Sequence, residues 1–456
     1  MAVATRAARA WFCRRTSANR RSCTTMSASS YPYVVVGGGN AAGYAAKAFV
    51  EAGATDGQVC VLGDEPYVSY ERPALSKAYL FPEKPARLPG FHTCVGGGGE
   101  RQEPEWYAQK GVDFRTRARV VRVDAKAKEV HTAAGDVVKY EKLVMATGAR
   151  PTDLYKDFKM EGADGTGIYY LRDVADADQI VQGIQTAKQG GGKAVVIGGG
   201  YIGLECAAAL CLNGLDVTVI FPEDYIMQRI FPKEISEFYE KYYESKGVKF
   251  LKGRVISLFS CNESGKICKV NLKDGMELPC DMVVAGVGAR PNVEMLQGQV
   301  EMEAGGIKVN GQMQSSDPNI FAIGDIAAFP LLCEGGKVQR SEHVVNARLT
   351  AAHAVKSIME PEAKTEYDYL PYFYSRVFDL SWQLYGVNEG DHVMFGTPEE
   401  KKFGAYWIRD GKVVGAFMEG GSAEDFENIK KVAKARPAAP SKEDLQSMGP
   451  DFASKL

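Results

Sequence analysis

The sequence predicts an α/β chain with two Rossmann-like dinucleotide-binding domains, and three observations carry that prediction. Its 456 residues exceed what one hydrophobic core serves. Its 49 glycines stand above the ordinary share of about 7%, with much of the surplus in Gly37-Gly38-Gly39 and Gly198-Gly199-Gly200. Each triplet follows a β-branched run and precedes an alanine-rich stretch, which is the order of a strand, a phosphate-binding turn and a helix.

Composition narrows the classes of function. Residues 1–30 carry six Arg and no acid, so the rest of the chain has 49 basic against 57 acidic residues. A body near -8 argues against nucleic acid as a partner. No uninterrupted apolar run is long enough to span a bilayer, so no transmembrane helix is expected. The ten Cys show no zinc-like pairing, and the five His form no cluster with Cys and carboxylates. Neither a metal site nor an acid–base triad is expected. Cys206 and Cys211 make a C-x4-C, but residues i and i+5 of a helix face different ways. They are expected as reduced, buried thiols rather than a redox pair.

The first nucleotide unit begins at Tyr33-Val34-Val35-Val36, a buried-type parallel strand. It enters Gly37-Gly38-Gly39-Asn40-Ala41-Ala42, which fits G-x-G-x-x-A. Gly37 allows the tight turn, Gly39 admits a pyrophosphate to the backbone, and Ala42 keeps the helix close to the strand. The helix N-terminus offers unpaired N–H groups to phosphates. Val59-Cys60-Val61-Leu62 reads as the second strand and ends in Asp64 and Glu65. Glu65 is preferred over Asp64 as acceptor for ribose hydroxyls.

The second unit repeats the plan. Ala194-Val195-Val196-Ile197 leads into Gly198-Gly199-Gly200-Tyr201-Ile202-Gly203, a full G-x-G-x-x-G, followed by a helical run that contains Glu205. Val217–Phe221 is the next strand. Glu223 closes it 20 residues after Gly203, the spacing of a ribose-binding acid. A carboxylate there accepts the free 2′-hydroxyl of NADH and repels the 2′-phosphate of NADPH, whereas nearby Arg229 can accommodate that phosphate. NADH is favoured over NADPH. Two such units in one chain suggest an electron relay between FAD and a nicotinamide. Three apolar strands with glycine ends support it: Leu143 to Thr147-Gly148, Val283 to Gly288, and Ile320 to Gly324-Asp325.

The two ends carry different addresses. The basic, acid-free segment from Met1 to about Ser30 has the composition of a plastid or mitochondrial transit peptide. Ser454-Lys455-Leu456 matches the peroxisomal signal S-K-L. Initiation at Met26 would drop the first and leave the second. The expected compartment is therefore open between cytoplasm or peroxisome and plastid or mitochondrion.

These elements, in this order, resemble the two-dinucleotide-fold flavoprotein reductases. The resemblance implies FAD on the first glycine motif, the nicotinamide on the second, and Asp325 on the ribityl chain. It also implies a discontinuous FAD domain at 31–155 and 285–355, an NADH domain at 156–284 and a C-terminal α+β domain at 356–456. Four runs narrow it: Tyr70-Glu71-Arg72-Pro73-Ala74-Leu75-Ser76-Lys77, Leu88 to Cys94, Glu342-His343-Val344 with Arg348, and Tyr369 to Arg376. They resemble the monodehydroascorbate reductases of plants and algae, from about Tyr33 to the C-terminus. The sequence departs from that pattern in its basic extension and at Asn40, a permissive position of the turn.

The narrower resemblance implies reduction of the monodehydroascorbate radical to ascorbate, with electrons from NADH passing through FAD. It places Arg348 on the substrate oxyanion and Tyr374 near substrate and flavin. Glu342 and His343 fall near the nicotinamide and flavin. FAD contacts then comprise Gly37, Gly39, Asn40, Ala42, Glu65, Arg72, Lys77, Thr147, Gly148, Asp325 and Val344. The nicotinamide set comprises Gly198, Gly200, Tyr201, Ile202, Gly203, Glu205, Glu223, Arg229 and Gly288. Cys94 is expected as a structural thiol, and no obligatory protein partner is implied. Two rivals share the fold: a ferredoxin or rubredoxin reductase, whose acidic partner needs a basic rim, and a signalling flavoprotein like apoptosis-inducing factor.

Overall fold

A computed structural model describes residues 29–93 and 99–456. Most of the targeting-like extension and Cys94 fall outside the described residues. Strand β1 (Ser29–Val36) carries Val34, Val35 and Val36 into the core, and β2 (Val59–Leu62) is buried along its whole length. Burial of each Val contributes roughly 1.5–3 kcal/mol, which is why these runs form the centre of a sheet. Helix α1 (Asn40–Glu51) lies between them in sequence. Next come β3 (Val112–Arg115), β4 (Val120–Asp124), β5 (Glu129–Thr132) and β6 (Val137–Met145). The sheet order is β3-β2-β1-β6-β5-β4. The first four strands run parallel, and β5 and β4 are antiparallel additions.

After β7 (Ala149–Pro151) the chain enters a second unit. It contains β8 (Ile168–Tyr169), α2 (Val174–Gly190), β9 (Lys193–Ile197), α3 (Tyr201–Leu212), β10 (Asp216–Ile220), β11 (Lys249–Leu251) and β12 (Met282–Ala285). Its sheet is entirely parallel, in the order β11-β10-β9-β12-β8. The chain returns along β13 (Ala289–Pro291), which pairs antiparallel with β7, so the outgoing and returning crossings run side by side. Strand β14 (Ile320–Ala322) then rejoins the first sheet beside β6. Helix α4 (Val344–Met359) follows. The first sheet is thus built from two separate stretches of chain.

The last unit is an antiparallel sheet of β15 (Tyr372–Val377), β16 (Leu380–Gly386), β17 (Asp391–Thr397), β18 (Lys402–Arg409) and β19 (Lys412–Glu419), in the order β15-β16-β19-β18-β17. Helix α5 (Ala423–Ala435) covers it through Ile429, Val432 and Ala433, against Val413, Ala416 and Met418. Its N-cap Ser422 forms a reciprocal capping box with Asp425. Among the described residues no helix is long and apolar enough to cross a membrane. The three units therefore form an α/β architecture of two Rossmann-like domains and an α+β domain.

One clamp fastens the last unit to the first. Glu334 accepts hydrogen bonds from Arg409 at 2.7 and 2.9 Å and from Arg436 at 2.6 Å. The two guanidiniums hold its carboxyl below the usual range, against the opposing effect of burial. Glu334→Ala would leave the two cations without the acid they share, with Arg409 keeping only the exposed Glu389 at 3.2 Å. It is expected to destabilise the protein by about 2 kcal/mol, read as a lower midpoint in thermal unfolding. An unchanged midpoint would show that the clamp contributes nothing.

Candidate active site

A cleft of about 860 Å³ opens where the three units meet. Its floor is the first glycine turn. Gly37 has φ of 131°, and a Cβ there would stand 2.2 Å from the carbonyl oxygen of Ala146, so only glycine fits between the strand ends. Helix α1 starts at Asn40 with Gly39 as N-cap. No side chain of the described residues caps that end, and its first turn carries no acid. Its N–H groups and positive dipole end are therefore left for an anion. Ala42, in the first turn of that helix, is fully buried and lets it lie close to β1. The second motif repeats this at α3, whose N-cap Gly200 also lacks a side-chain cap. Gly203 is the close-packing glycine, since a Cβ would lie 2.3 Å from the carbonyl of Gly198.

The cleft lining brings together most of the flavin-side residues: Gly37, Gly39, Asn40, Glu65, Arg72, Lys77, Thr147, Gly148, Asp325 and Val344. From the other units it adds Tyr201, Ile202, Glu205, Glu342, His343 and Tyr374. Gly198, Gly200, Gly203, Glu223, Arg229 and Gly288 are not part of the lining. Asp64 lines the cleft as well as Glu65. Glu65 is the more fixed, with Oε2 accepting from Tyr70 and Oε1 from Arg72, each at 2.5 Å. Arg72 also donates to the carbonyl of Arg172 at 2.7 Å. Burial opposes its charge, but Tyr70 and Glu65 outweigh that and raise its pKa.

At the centre stands Glu205, 2% exposed. Its Oε2 accepts from Lys77 at 2.7 Å and from the Ser76 hydroxyl, and its Oε1 accepts from Ser375 at 2.5 Å. The residue expected only as part of the nicotinamide motif thus ties the flavin-side loop to the C-terminal sheet. Asp325 pairs with Arg172 at 3.0 Å, and Glu342 with Arg340 at 2.6 Å. Glu223, at the end of β10, has Arg229 at 3.7 Å, and Arg229 is 89% exposed.

His343 is the N-cap of α4, where its Nδ1 accepts from the Val345 N–H at 3.3 Å. The ring meets Tyr374 edge-on at 5.2 Å. Burial, then Lys77 and Arg348, push its pKa down to about 3. Arg348 is not in the lining. It stands one helical turn beyond Val344, donates to Glu71 Oε2 at 2.7 Å and lies over the Tyr44 ring at 5.2 Å. It remains close enough to Tyr374 for each to bias the other's titration. Cys206 is buried and its thiol is pushed up to about 12 by that burial, whereas Cys211 donates to the carbonyl of Lys246 at 3.0 Å. Both are free thiols.

Sequence reasoning missed Arg172, Ser375, Tyr44 and the bonding of Ser76 and Glu71. Arg172 precedes a capping box formed by Asp173 and Asp176, and that local signal was available. Ser375 is a buried polar residue in the strand that carries Tyr374, a weaker signal.

Residues 31–351 match the model of the pyridine nucleotide-disulphide oxidoreductases, and residues 370–453 match that of the monodehydroascorbate reductase 3-like C-terminal domain. The chain belongs to the monodehydroascorbate reductase family. It is 49% identical to monodehydroascorbate reductase 4, peroxisomal, of Arabidopsis thaliana, over 93% of this chain and 86% of that protein. It is 48% identical to monodehydroascorbate reductase 4, cytosolic, of Oryza sativa subsp. japonica, over 94% and 99%. A crystal structure of a ferredoxin reductase from Rhodopseudomonas palustris superposes with a TM-score of 0.82 at 28% identity, covering 92% of this chain and 99% of that one. The family works with FAD and a nicotinamide nucleotide. The residues present fit both: two uncapped helix N-termini for phosphates, carboxylates at the strand ends for ribose, and a cleft joining the two.

The depressed pKa of His343 makes a linkage prediction. The folded value of about 3 lies below the ordinary 6.5, so below pH 6.5 the unfolded chain binds a proton that the folded one refuses. The His343 contribution to stability is complete above pH 6.5 and is lost as pH falls towards 3. Its ring resonances should stay constant in NMR from pH 8 down to about 5. A titration inside that window would contradict the neutral assignment.

Proposed function

We propose that this chain transfers electrons from NADH through FAD to the monodehydroascorbate radical and so regenerates ascorbate. The observation that carries the reading is the meeting of three units at one cleft. Tyr374 of the C-terminal sheet and Tyr201 of the nicotinamide unit both face it, with the Arg348 cation one turn behind Val344. A small anion needs such a cation, and a relay needs donor and acceptor sites at the same cofactor.

Bound flavin supplies the conversion of one hydride into two single electrons. The overall change is NADH and one proton plus two radical anions, giving NAD⁺ and two ascorbate monoanions. The side chains bind and orient. Lys77 and Glu205 fix the wall shared by the two nucleotide units. The neutral imidazole of His343 holds the start of α4 and does not supply the one proton consumed near neutral pH. Tyr374 and the aromatic group around His343 exclude solvent on the substrate side. Arg348 meets the oxyanion of the radical through a charge-assisted hydrogen bond.

NADH is preferred over NADPH because Glu223 presents a carboxylate where the 2′-phosphate would sit, and the exposed Arg229 offsets it only in part. Glu223→Gln removes the charge and is expected to shrink the ratio of NADH to NADPH kcat/KM by about tenfold. An unchanged ratio would place the discrimination elsewhere. For location, the peroxisomal reading rests on Ser454-Lys455-Leu456, exposed at the end of the last turn. The peroxisomal and cytosolic names of relatives support a cytoplasmic or peroxisomal site over a plastid or mitochondrial one.

The test of the reaction is NADH oxidation by the FAD-loaded protein while ascorbate oxidase generates the radical. Turnover should require both ascorbate and the oxidase. Arg348→Ala should lower kcat/KM for the radical by on the order of 100-fold while ferricyanide reduction persists. Turnover that ignores the radical would defeat the proposal.

A further inference from the structure

The site holds one charged cluster that the electron relay leaves unexplained. Glu71 is 7% exposed, in the run that follows β2. Its Oε1 accepts from the Tyr44 hydroxyl at 2.9 Å. Its Oε2 accepts from Asn40 Nδ2 at 2.6 Å and from Arg348 Nη2 at 2.7 Å. Asn40 Oδ1 in turn accepts from the Arg72 N–H at 3.2 Å, so the glycine turn and the Glu71 run are stitched together. The other face of the guanidinium lies over the Tyr44 ring. Arg348 Nε is buried and has no hydrogen-bond partner among the described residues.

A guanidinium in that state is held and also under-used. One edge is committed to an internal acid, one face to an aromatic ring, and one buried N–H is unsatisfied, a condition that costs free energy until a ligand acceptor arrives. The acid also cancels most of the cation's long-range pull on an anion. That matters because radical and product each carry one negative charge, so a bare cation would hold both with similar strength. Tight uniform binding of both would slow release without speeding electron transfer.

Resting on the reading that Arg348 takes the substrate oxyanion, we infer that Glu71 is the positioning residue of the radical site. It aims Arg348 and moderates its attraction for anions, which keeps the departing ascorbate from being retained. Asn40 and Tyr44 act through Glu71 by sharing its charge and fixing its orientation.

The test uses the FAD-loaded enzyme in steady state, with ascorbate as product inhibitor. In Glu71→Gln the amide oxygen can take the place of Oε2 and keep both Asn40 and Arg348. The amide N–H group can donate to the Tyr44 oxygen, so the geometry survives while the charge goes. The KM for the radical and the inhibition constant of ascorbate should both fall about tenfold, with a lower kcat as release slows. Tyr44→Phe keeps the ring but removes one donor from Glu71, leaving more of its charge on Arg348. Both constants should then rise about threefold, and this opposite sign decides the matter if Glu71→Gln does not load FAD. Constants that stay level or move together in one direction in the two variants overturn the inference. Arg348→Ala separates it from the reading beneath: if neither constant moves there, Arg348 is not the substrate cation. If both rise there but Glu71→Gln fails to lower them, only the role of Glu71 falls.

Discussion

Glu205 sits in the second turn of α3 with three donors on its carboxylate: Lys77 and Ser76 from the flavin-side loop and Ser375 from the C-terminal sheet. Taking a carboxylate out of water costs several kcal/mol unless opposite charge and hydrogen bonds replace the solvent. All three donors come from outside its own unit. If any unit moved away, it would strand a buried charge, so the low-energy arrangement is the one in which the three units meet. The cleft is the space left at that meeting. Its shape follows from satisfying one anion rather than from the separate stability of each domain.

The same logic recurs along the walls. In the lining Arg72 is matched by Glu65, Lys77 by Glu205 and Arg172 by Asp325, and behind it Arg348 is matched by Glu71. Each of these cations has its own acid within a few ångströms, so the lining is densely charged with none of these cations standing alone. Phosphates are therefore left to the backbone N–H groups at the starts of α1 and α3, whose directions are fixed by the helices. The cations are held in place for orientation and for short contacts. His343 registers their presence directly, because Lys77 and Arg348 help to keep it uncharged.

How much of this was legible depends on sequence distance. The glycine turns, their strands and the acids that close them are local patterns, and the structure places them as the spacing predicts. Asp64 and Glu65 both reach the cleft, and only the partners of Glu65 separate them. Strand β6 was legible only in its apolar end, Leu143 to Met145. Its first half pairs with β5 and alternates buried with exposed positions, a weaker signal in a single sequence. The ties that matter most were illegible from composition or period. Ser375 and Glu205 are 170 residues apart, and Arg348 and Glu71 are 277 apart. Resemblance named Arg348 and Tyr374, but nothing in one sequence says which carboxylate a distant cation will find.

The most direct test of the electron relay is a count. Holoprotein is mixed rapidly with a limiting amount of NADH and then with an excess of the ascorbate radical, and radical loss is followed by its absorbance. The account predicts two radicals consumed for each NADH supplied, at a rate far above their spontaneous disproportionation. Radical decay at the spontaneous rate, with the NADH electrons retained on the protein, would contradict it.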